Sequence, residues 1–340
     1  MIVLDSNQLR LFAPGSPALR LFAAVAERAG HTVATADTAV QEVVRQRRDE
    51  LSSAHSALIR AEREINALTT SPGNYVRFAH PTLRNRPLFI AEETSRFESE
   101  LRDTFRVLET APQDALEALR WEAEHRPPCR NGSGARDAAI WLTAARACRR
   151  PDTDKKGRPL PVIFVSKDKD FTQPGDPSRL DEALRSELTD SGMLILKSEV
   201  VHAMAELGYP RRNVSAEKIT NREDFRQTLI EVVRDGAGPG WVPNLIESAE
   251  AIVSMAPGGR AYECRGDGTR LISVSGTWNL QFVTEPLPPQ PNGQPGGHKG
   301  LPMGVQGMAL LVEDEQTEAT KIDFFPQITS FTSMGEYTSR

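Results

Sequence analysis

The chain is predicted to be an α/β protein: a parallel sheet flanked by helices with an inserted helical pair, followed by a smaller α+β part with an antiparallel sheet. Three observations carry this prediction. Apolar runs of strand length alternate with helical patterns through residues 1 to 208, which is the signature of helices covering a parallel sheet. One such run, V-I-F-V at 162 to 165, has no polar alternation and so belongs in a sheet buried on both faces. Past residue 210 a D-G pair joins two strand-like runs, which is a hairpin signal.

The elements follow in order. I-V-L at 2 to 4 is a short apolar strand ending on Asp5. Residues 17 to 29 have a helical pattern closed by Gly30, a normal helix stop. H-T-V-A-T is the next strand. From Thr38 to about Leu68, Val44, Leu51, Leu58 and Ile65 recur every seven residues, with Val40, Ala54, Ala61 and Leu68 widening the stripe. That pattern predicts one long amphipathic helix. A second helical stretch, 93 to 110, presents Phe97, Leu101, Phe105 and Leu108 on one face. The two form the expected insertion, about residues 45 to 125. A shorter helix follows Pro112, then the loop R-P-P-C-R-N-G-S-G and the helix A-R-D-A-A-I-W-L. After V-I-F-V come a predicted helix near 178 to 189, the strand M-L-I-L-K and a helix reaching Gly208.

The expected division is a first domain over 1–208 and an accessory domain over 209–340. In the latter, 214 to 234 and 241 to 254 have helical patterns, and 261 to 284 is a strand pair around Asp267-Gly268. The Pro- and Gly-rich segment 286 to 302 is expected to be a loop or linker. Two more strand-like runs complete the sheet.

Composition bounds the function. A 340-residue chain with net charge −5 and pI near 5.8 has no globally basic, DNA-coating surface. Its three cysteines form no C-x-x-C pair and its six histidines no H-x-x-x-H, so neither a disulfide framework nor a soft-metal site is indicated. No secretory leader is visible, and no apolar run approaches the ~20 residues that span a bilayer. A cytoplasmic protein with no membrane association is expected.

The acids are the informative residues. Asp5 and Asp168 each follow an apolar strand, where open α/β sheets collect ligands. Asp137 opens a helix after a Gly-rich loop, and Glu42 lies in the first turns of the long helix. Singly these have ordinary readings: a turn residue, a helix-dipole partner, a solvated helix face. Together, carboxylates at one rim repel unless a cation neutralises them. A hard divalent ion such as Mg2+ or Mn2+ takes oxygen ligands and is commonly shared with phosphate.

Four segments, I-V-L-D-S-N, T-A-V-Q-E-V-V-R, G-S-G-A-R-D-A-A-I-W and V-I-F-V-S-K-D-K-D-F, resemble in order and position the motifs of the PIN-domain nuclease superfamily. The resemblance covers about residues 1 to 207, and its helical insertion is most like the larger bacterial PIN-like branch. It implies that Asp5, Glu42, Asp137 and Asp168 are the catalytic, metal-holding quartet, with Asp170 auxiliary. Ser166 stands where the family often has Thr. The implied activity is metal-dependent endoribonuclease cleavage of single-stranded or structured RNA. Ser6, Asn7, Arg130, Arg136 and Ser166 are the expected substrate contacts. Further basic residues, Arg45, Arg47, Arg48, Arg126, Arg146, Arg149, Arg150, Lys155, Lys156 and Arg158, are of the kind that hold phosphates. The accessory domain is expected to select substrate or hold a protein partner or inhibitor. The competing expectations are a catalytically silent PIN-like scaffold that binds RNA or protein, and a phosphoryl-accepting receiver domain.

Overall fold

The computed structural model describes residues 1–11, 17–70, 85–154, 156–188, 193–236, 250–286, 298–315, 317 and 320–331. The chain divides into two compact units, Met1–Gly15 with Ala26–Ala203, and Ser16–Val25 with Met204–Arg340.

The first unit is built on a five-stranded sheet of β1 (Ile2–Leu4), β2 (Val33–Ala36), β3 (Arg106–Leu108), β4 (Val162–Val165) and β7 (Leu194–Lys197). The order is β3-β2-β1-β4-β7 and every pairing is parallel. Ile2, Val3 and Leu4 are wholly buried and Val162 to Val165 nearly so, as expected of strands covered on both faces. The chain runs outward one way from β1 through β2 to β3 and the other way through β4 to β7, so the order reverses between β1 and β4. Ligands of open α/β sheets bind at such a reversal, beyond the carboxyl ends of the strands. A receiver sheet has the order 2-1-3-4-5, and this order excludes it.

Helix α1 (Ser6–Leu9) follows β1, and α2 (Pro17–Arg28) leads to β2. The long helix α3 (Asp37–Leu68) pairs with α4 (Arg86–Thr104). Arg102 of α4 meets Asp37 at 2.9 Å, and Arg47 lies over Phe97 with its guanidinium carbon 5.8 Å from the ring centre. The predicted stripe is buried at Val40 and Val44 but open at its far end, where Leu68 is 85% exposed. Helix α5 (Pro112–Ala123) precedes the loop to α6 (Ala135–Ala147). Trp141 of α6, Phe164 of β4 and Phe171 form one aromatic cluster with ring centres 5.2 to 6.3 Å apart. The cluster seats α6 on the sheet beside the end of β4.

Two expectations in this unit are corrected. Residues 106 to 108 form β3 and not the end of a helix. The helix stops at Thr104, Phe105 is extended, and the β-branched Val107 sits well in the edge pairing with β2. The helix expected at 178 to 189 is a hairpin of β5 (Thr172–Gln173) and β6 (Asp176–Leu180), followed by the four-residue α7 (Glu182–Arg185). Gly175, with φ +87°, turns the hairpin, and Asp181 caps α7 through Ala183 N. After β7 comes α8 (Val200–Glu206).

The second unit carries an antiparallel sheet ordered β13-β12-β11-β10-β8, with β9 also on β11. Its strands are β8 (Arg211–Val214), β9 (Glu250–Met255), β10 (Arg260–Gly266), β11 (Thr269–Pro286), β12 (His298–Asp314) and β13 (Thr320–Phe331). The D-G turn stands as read: Asp267 and Gly268 have φ of 48° and 69°, the pair of positive angles a tight hairpin needs. Helices α9 (Ala216–Thr220) and α10 (Glu223–Gly236) supply Ile219, Phe225 and Leu229 to a core with Trp278, Leu280 and Val305. Trp278 Nε1 donates to Thr220 Oγ1 at 3.0 Å inside it.

Here too the sequence reading changes. Residues 250 to 255 are strand β9, drawn in by pairing with β11, and not the end of a helix over 241 to 254, whose first part lies outside the described residues. The loop expected at 286 to 302 is narrower, because Pro286 pairs with His298 and Gln281 with Pro302. Its residues 287 to 297 lie outside the described residues.

Candidate active site

Asp5 leaves β1 at the reversal point, its N–H donating to Val165 O at 3.0 Å. Its side chain is only 1% exposed and is held from three sides. Ser6 N donates to Oδ1 at 2.6 Å, while Asn7 Nδ2 and Ser166 Oγ donate to Oδ2 at 2.6 and 2.5 Å. Asn7 also donates to Ser166 Oγ and accepts from Lys167 N, each at 3.1 Å, and from Gln8 Nε2 at 2.9 Å. Asp168 N donates to Ser166 Oγ at 3.0 Å. Asn7 and Ser166, expected at the substrate, here turn their side chains onto Asp5, and Ser6 meets it through its backbone N–H. Burial still dominates and pushes the Asp5 carboxyl up to about 6, against the hydrogen bonds and with a further push from the charges of Asp168 and Glu42.

Asp137 is the third residue of α6, whose preceding residue Gly134 has φ +116°. A side chain at Gly134 would be strained by that positive φ, although its Cβ would meet Asp137 Oδ2 only in ordinary contact at 3.5 Å. Burial pushes Asp137 up to about 7; the charges of Asp5, Asp168 and Glu42 add to this, and Arg136 opposes it. Glu42 lies in the second turn of α3. Its Oε1 meets Arg136 at 3.3 Å and Gln46 at 3.1 Å, whereas its buried Oε2 has no hydrogen-bond partner among the described residues. Asp168 caps the short 3-10 turn Lys169–Phe171 by accepting from Asp170 N at 2.8 Å. Burial, then the charge of Asp168, pushes Asp170 up, and Arg130 opposes it.

The fold thus brings Asp5 and Asp137 within reach of each other's charge and of the charges of Glu42 and Asp168. It does not draw them into a ligand shell: among the described residues no group of three or more His, Cys, Asp or Glu side chains is arranged to hold a metal ion. The donor chemistry nonetheless fits a hard cation. Every candidate ligand is a carboxylate oxygen, and a buried acceptor without a donor, Glu42 Oε2, is the kind of group a cation satisfies.

The basic residues sort differently. Arg136, 60% exposed, pairs with Glu42, an acid of the quartet. Arg130 is tied to Asp181 and to Thr172 O. Arg126 pairs with Glu187 and lies over Trp121. Arg45, Arg146 and Arg158 pair with Asp49, Asp114 and Asp154, and Lys155 lies outside the described residues. Two residues that sequence reasoning passed over support the site: Asp181, and Glu122, whose Oε2 accepts from Ala135 N at 2.8 Å at the start of α6. Asp181 carries a readable signal, an Asp just before a short helix; its partner 51 residues upstream does not.

No helix among the described residues is long and apolar enough to cross a membrane. The family model of the PIN domain matches residues 2–171, half of the chain. No curated protein and no solved structure matches it. The matched span runs from β1 to Phe171 and contains all five candidate acids, Asp5, Glu42, Asp137, Asp168 and Asp170. The chain belongs to the PIN domain family.

Proposed function

We propose that the chain is a Mg2+- or Mn2+-dependent endoribonuclease that hydrolyses RNA phosphodiester bonds at the end of β1 and β4. The reading is carried by Asp137, whose carboxyl is pushed up to about 7 by burial and by the charges of Asp5, Asp168 and Glu42. A structural acid at a helix start has no use for three like charges around it. Asp5, Glu42, Asp137 and Asp168 would hold the ion, with Asp170 auxiliary. When bound, the ion neutralises the acids, activates water and stabilises charge on the phosphoryl oxygens. The protein's own share is orientation. Ser6, Asn7 and Ser166 fix Asp5, the Trp141–Phe164–Phe171 cluster seats Asp137 and Asp168, and Arg136 would meet a phosphate.

One observation favours the silent-scaffold reading, namely that the acids are not arranged as a ligand shell in this structure. Incubation with a mixed panel of single-stranded and structured RNA, in Mn2+ or in EDTA and beside Asp137→Asn, decides between them. Cleavage in Mn2+ that vanishes in EDTA and in the variant is the expected outcome. Equal RNA binding with no cleavage in any arm establishes the scaffold.

A further inference from the structure

Arg130 sits in the loop that delivers Asp137, and Asp181 follows the hairpin that leaves Asp168 and Asp170. Their side chains form an ion pair, with Arg130 30% and Asp181 12% exposed. A second Arg130 contact, Nη2 to Thr172 O at 3.4 Å, reaches the residue just after the 3-10 turn. The rest of both segments is tightly tied. On the Arg130 side, Cys129 N donates to Arg126 O at 2.7 Å and Gly132 N to Cys129 O at 2.9 Å. On the other side, Asp181 N donates to Phe171 O at 3.0 Å, and Asp181 Oδ1 accepts from Ala183 N at 2.8 Å. Every strong acceptor of Asp181 is therefore used inside the protein. The Arg130 guanidinium reaches both Asp181 and the Thr172 carbonyl through its Nη2.

We propose that Arg130 and Asp181 are a positioning pair for the active site, setting the separation between the Asp137 loop and the Asp168–Asp170 turn. The inference rests on the nuclease reading and deepens it by giving Arg130 a role other than gripping phosphate. The physical reason is rigidity. Loops are the mobile parts of a fold, and both acid-bearing segments leave regular structure just where the carboxylates must be placed. The charge-assisted contact of Arg130 Nη2 with Asp181, together with its contact to Thr172 O, ties the Asp137 loop to the segment after the 3-10 turn. Residues that orient metal ligands without touching the ion cost about 10- to 100-fold in metal affinity or activity when lost.

The two roles for Arg130 make opposite forecasts for Asp181→Asn. This change keeps an acceptor for Ala183 N, since Asn caps helices about as well as Asp, and removes only the charge that holds Arg130. If Arg130 grips phosphate, freeing it from Asp181 tightens RNA binding. If it positions the acids, Asp181→Asn behaves like Arg130→Ala.

The experiment uses the full chain with Arg130→Ala, Arg130→Lys, Asp181→Asn and the double variant. Mn2+ affinity is read by electron paramagnetic resonance of free Mn2+. Binding of a fluorescein-labelled single-stranded RNA is read by anisotropy in EDTA, and kcat and KM in Mn2+. Arg130→Ala and Asp181→Asn are each expected to weaken Mn2+ binding and lower kcat about tenfold or more, with RNA affinity and KM near those of the wild type. The double variant should be no worse than either single, because one interaction is lost. Arg130→Lys, which keeps the charge but not the fork, should recover part of the loss; melting curves for all four show whether they are folded. If Arg130→Ala unfolds, Asp181→Asn alone carries the decision. Tighter RNA binding by Asp181→Asn, or a wild-type kcat and Mn2+ affinity in that variant, overturns the pair. A wild-type chain that neither binds Mn2+ nor cuts RNA overturns the nuclease reading as well, and the wild-type arm tells the two failures apart.

Discussion

Ser166 Oγ donates to Asp5 Oδ2 across 2.5 Å and joins the ends of β4 and β1, 161 positions apart in sequence. The bond lies where the sheet order reverses, and Ser166 Oγ also accepts from Asp168 N and from Asn7 Nδ2. One hydroxyl therefore links two acids of the quartet. Ser166→Ala should remove a donor from a buried carboxylate and cost about 1–3 kcal/mol of stability. Urea unfolding measures that loss, and a variant as stable as the wild type would show that Asn7 suffices.

The raised acids set the pH dependence of the metal-free protein. Burial first, and neighbouring acids second, push Asp5 up to about 6 and Asp137 up to about 7 in the fold, above the ordinary aspartate range. The folded state therefore holds protons that the unfolded state has already lost, and stability falls as pH rises from about 4 through about 7. His31, lowered to about 4 by burial and the nearby N-terminal charge, works the other way. It stays neutral in the fold and costs stability as pH falls below its unfolded value. The difference between wild type and Asp137→Asn cancels the His31 contribution. In EDTA, Asp137→Asn should gain in Tm relative to wild type at about pH 8 and lose that gain by about pH 5, a swing on the order of a few kcal/mol. A difference constant across that range would mean that Asp137 is not perturbed.

Asp168 and Asp170 should separate by activity. Asp168→Asn keeps an acceptor for Asp170 N, so the 3-10 turn should persist and the Tm in EDTA should hold or rise as like charges are relieved. Metal-dependent cleavage should nevertheless be abolished. Asp170→Asn should cost less activity. Melting and turnover on the same preparations check both. An Asp168 variant that melts early but cuts at the wild-type rate reduces the residue to a turn former.

Trp141 is wholly buried between Phe164 and Phe171, and its Nε1 has no hydrogen-bond partner among the described residues. Trp141→Ala should cost about 3–5 kcal/mol through the cavity it leaves. Trp141→Phe removes the unpaired N–H along with some volume and should cost less than half as much. Chemical denaturation of the two variants tests the ranking. Equal losses would mean that the indole N–H is satisfied in solution.

The residues alone determined the parts that depend on near neighbours. Unbroken apolar runs such as V-I-F-V predicted buried parallel strands, and Asp267-Gly268 predicted its own turn. Asp5 and Asp168 were placed past strand ends because strand length and a change to polar residues mark those ends. Other features depend on what lies alongside in space, and only the tertiary structure decided them. Arg106–Leu108 is a strand because β2 offers an edge, and Glu250–Met255 because β11 does. Leu180, Leu184 and Leu188 have helical spacing, yet the first of them lies in a hairpin. The same holds within the site. Asp5, Glu42, Asp137 and Asp168 were legible as acids at element ends. The inward turn of Asn7 and Ser166 onto Asp5, and the capture of Arg130 by Asp181, were not. A hydrogen bond or ion pair across 51 or 161 positions leaves no local periodicity; it exists only once the fold has brought its two ends together.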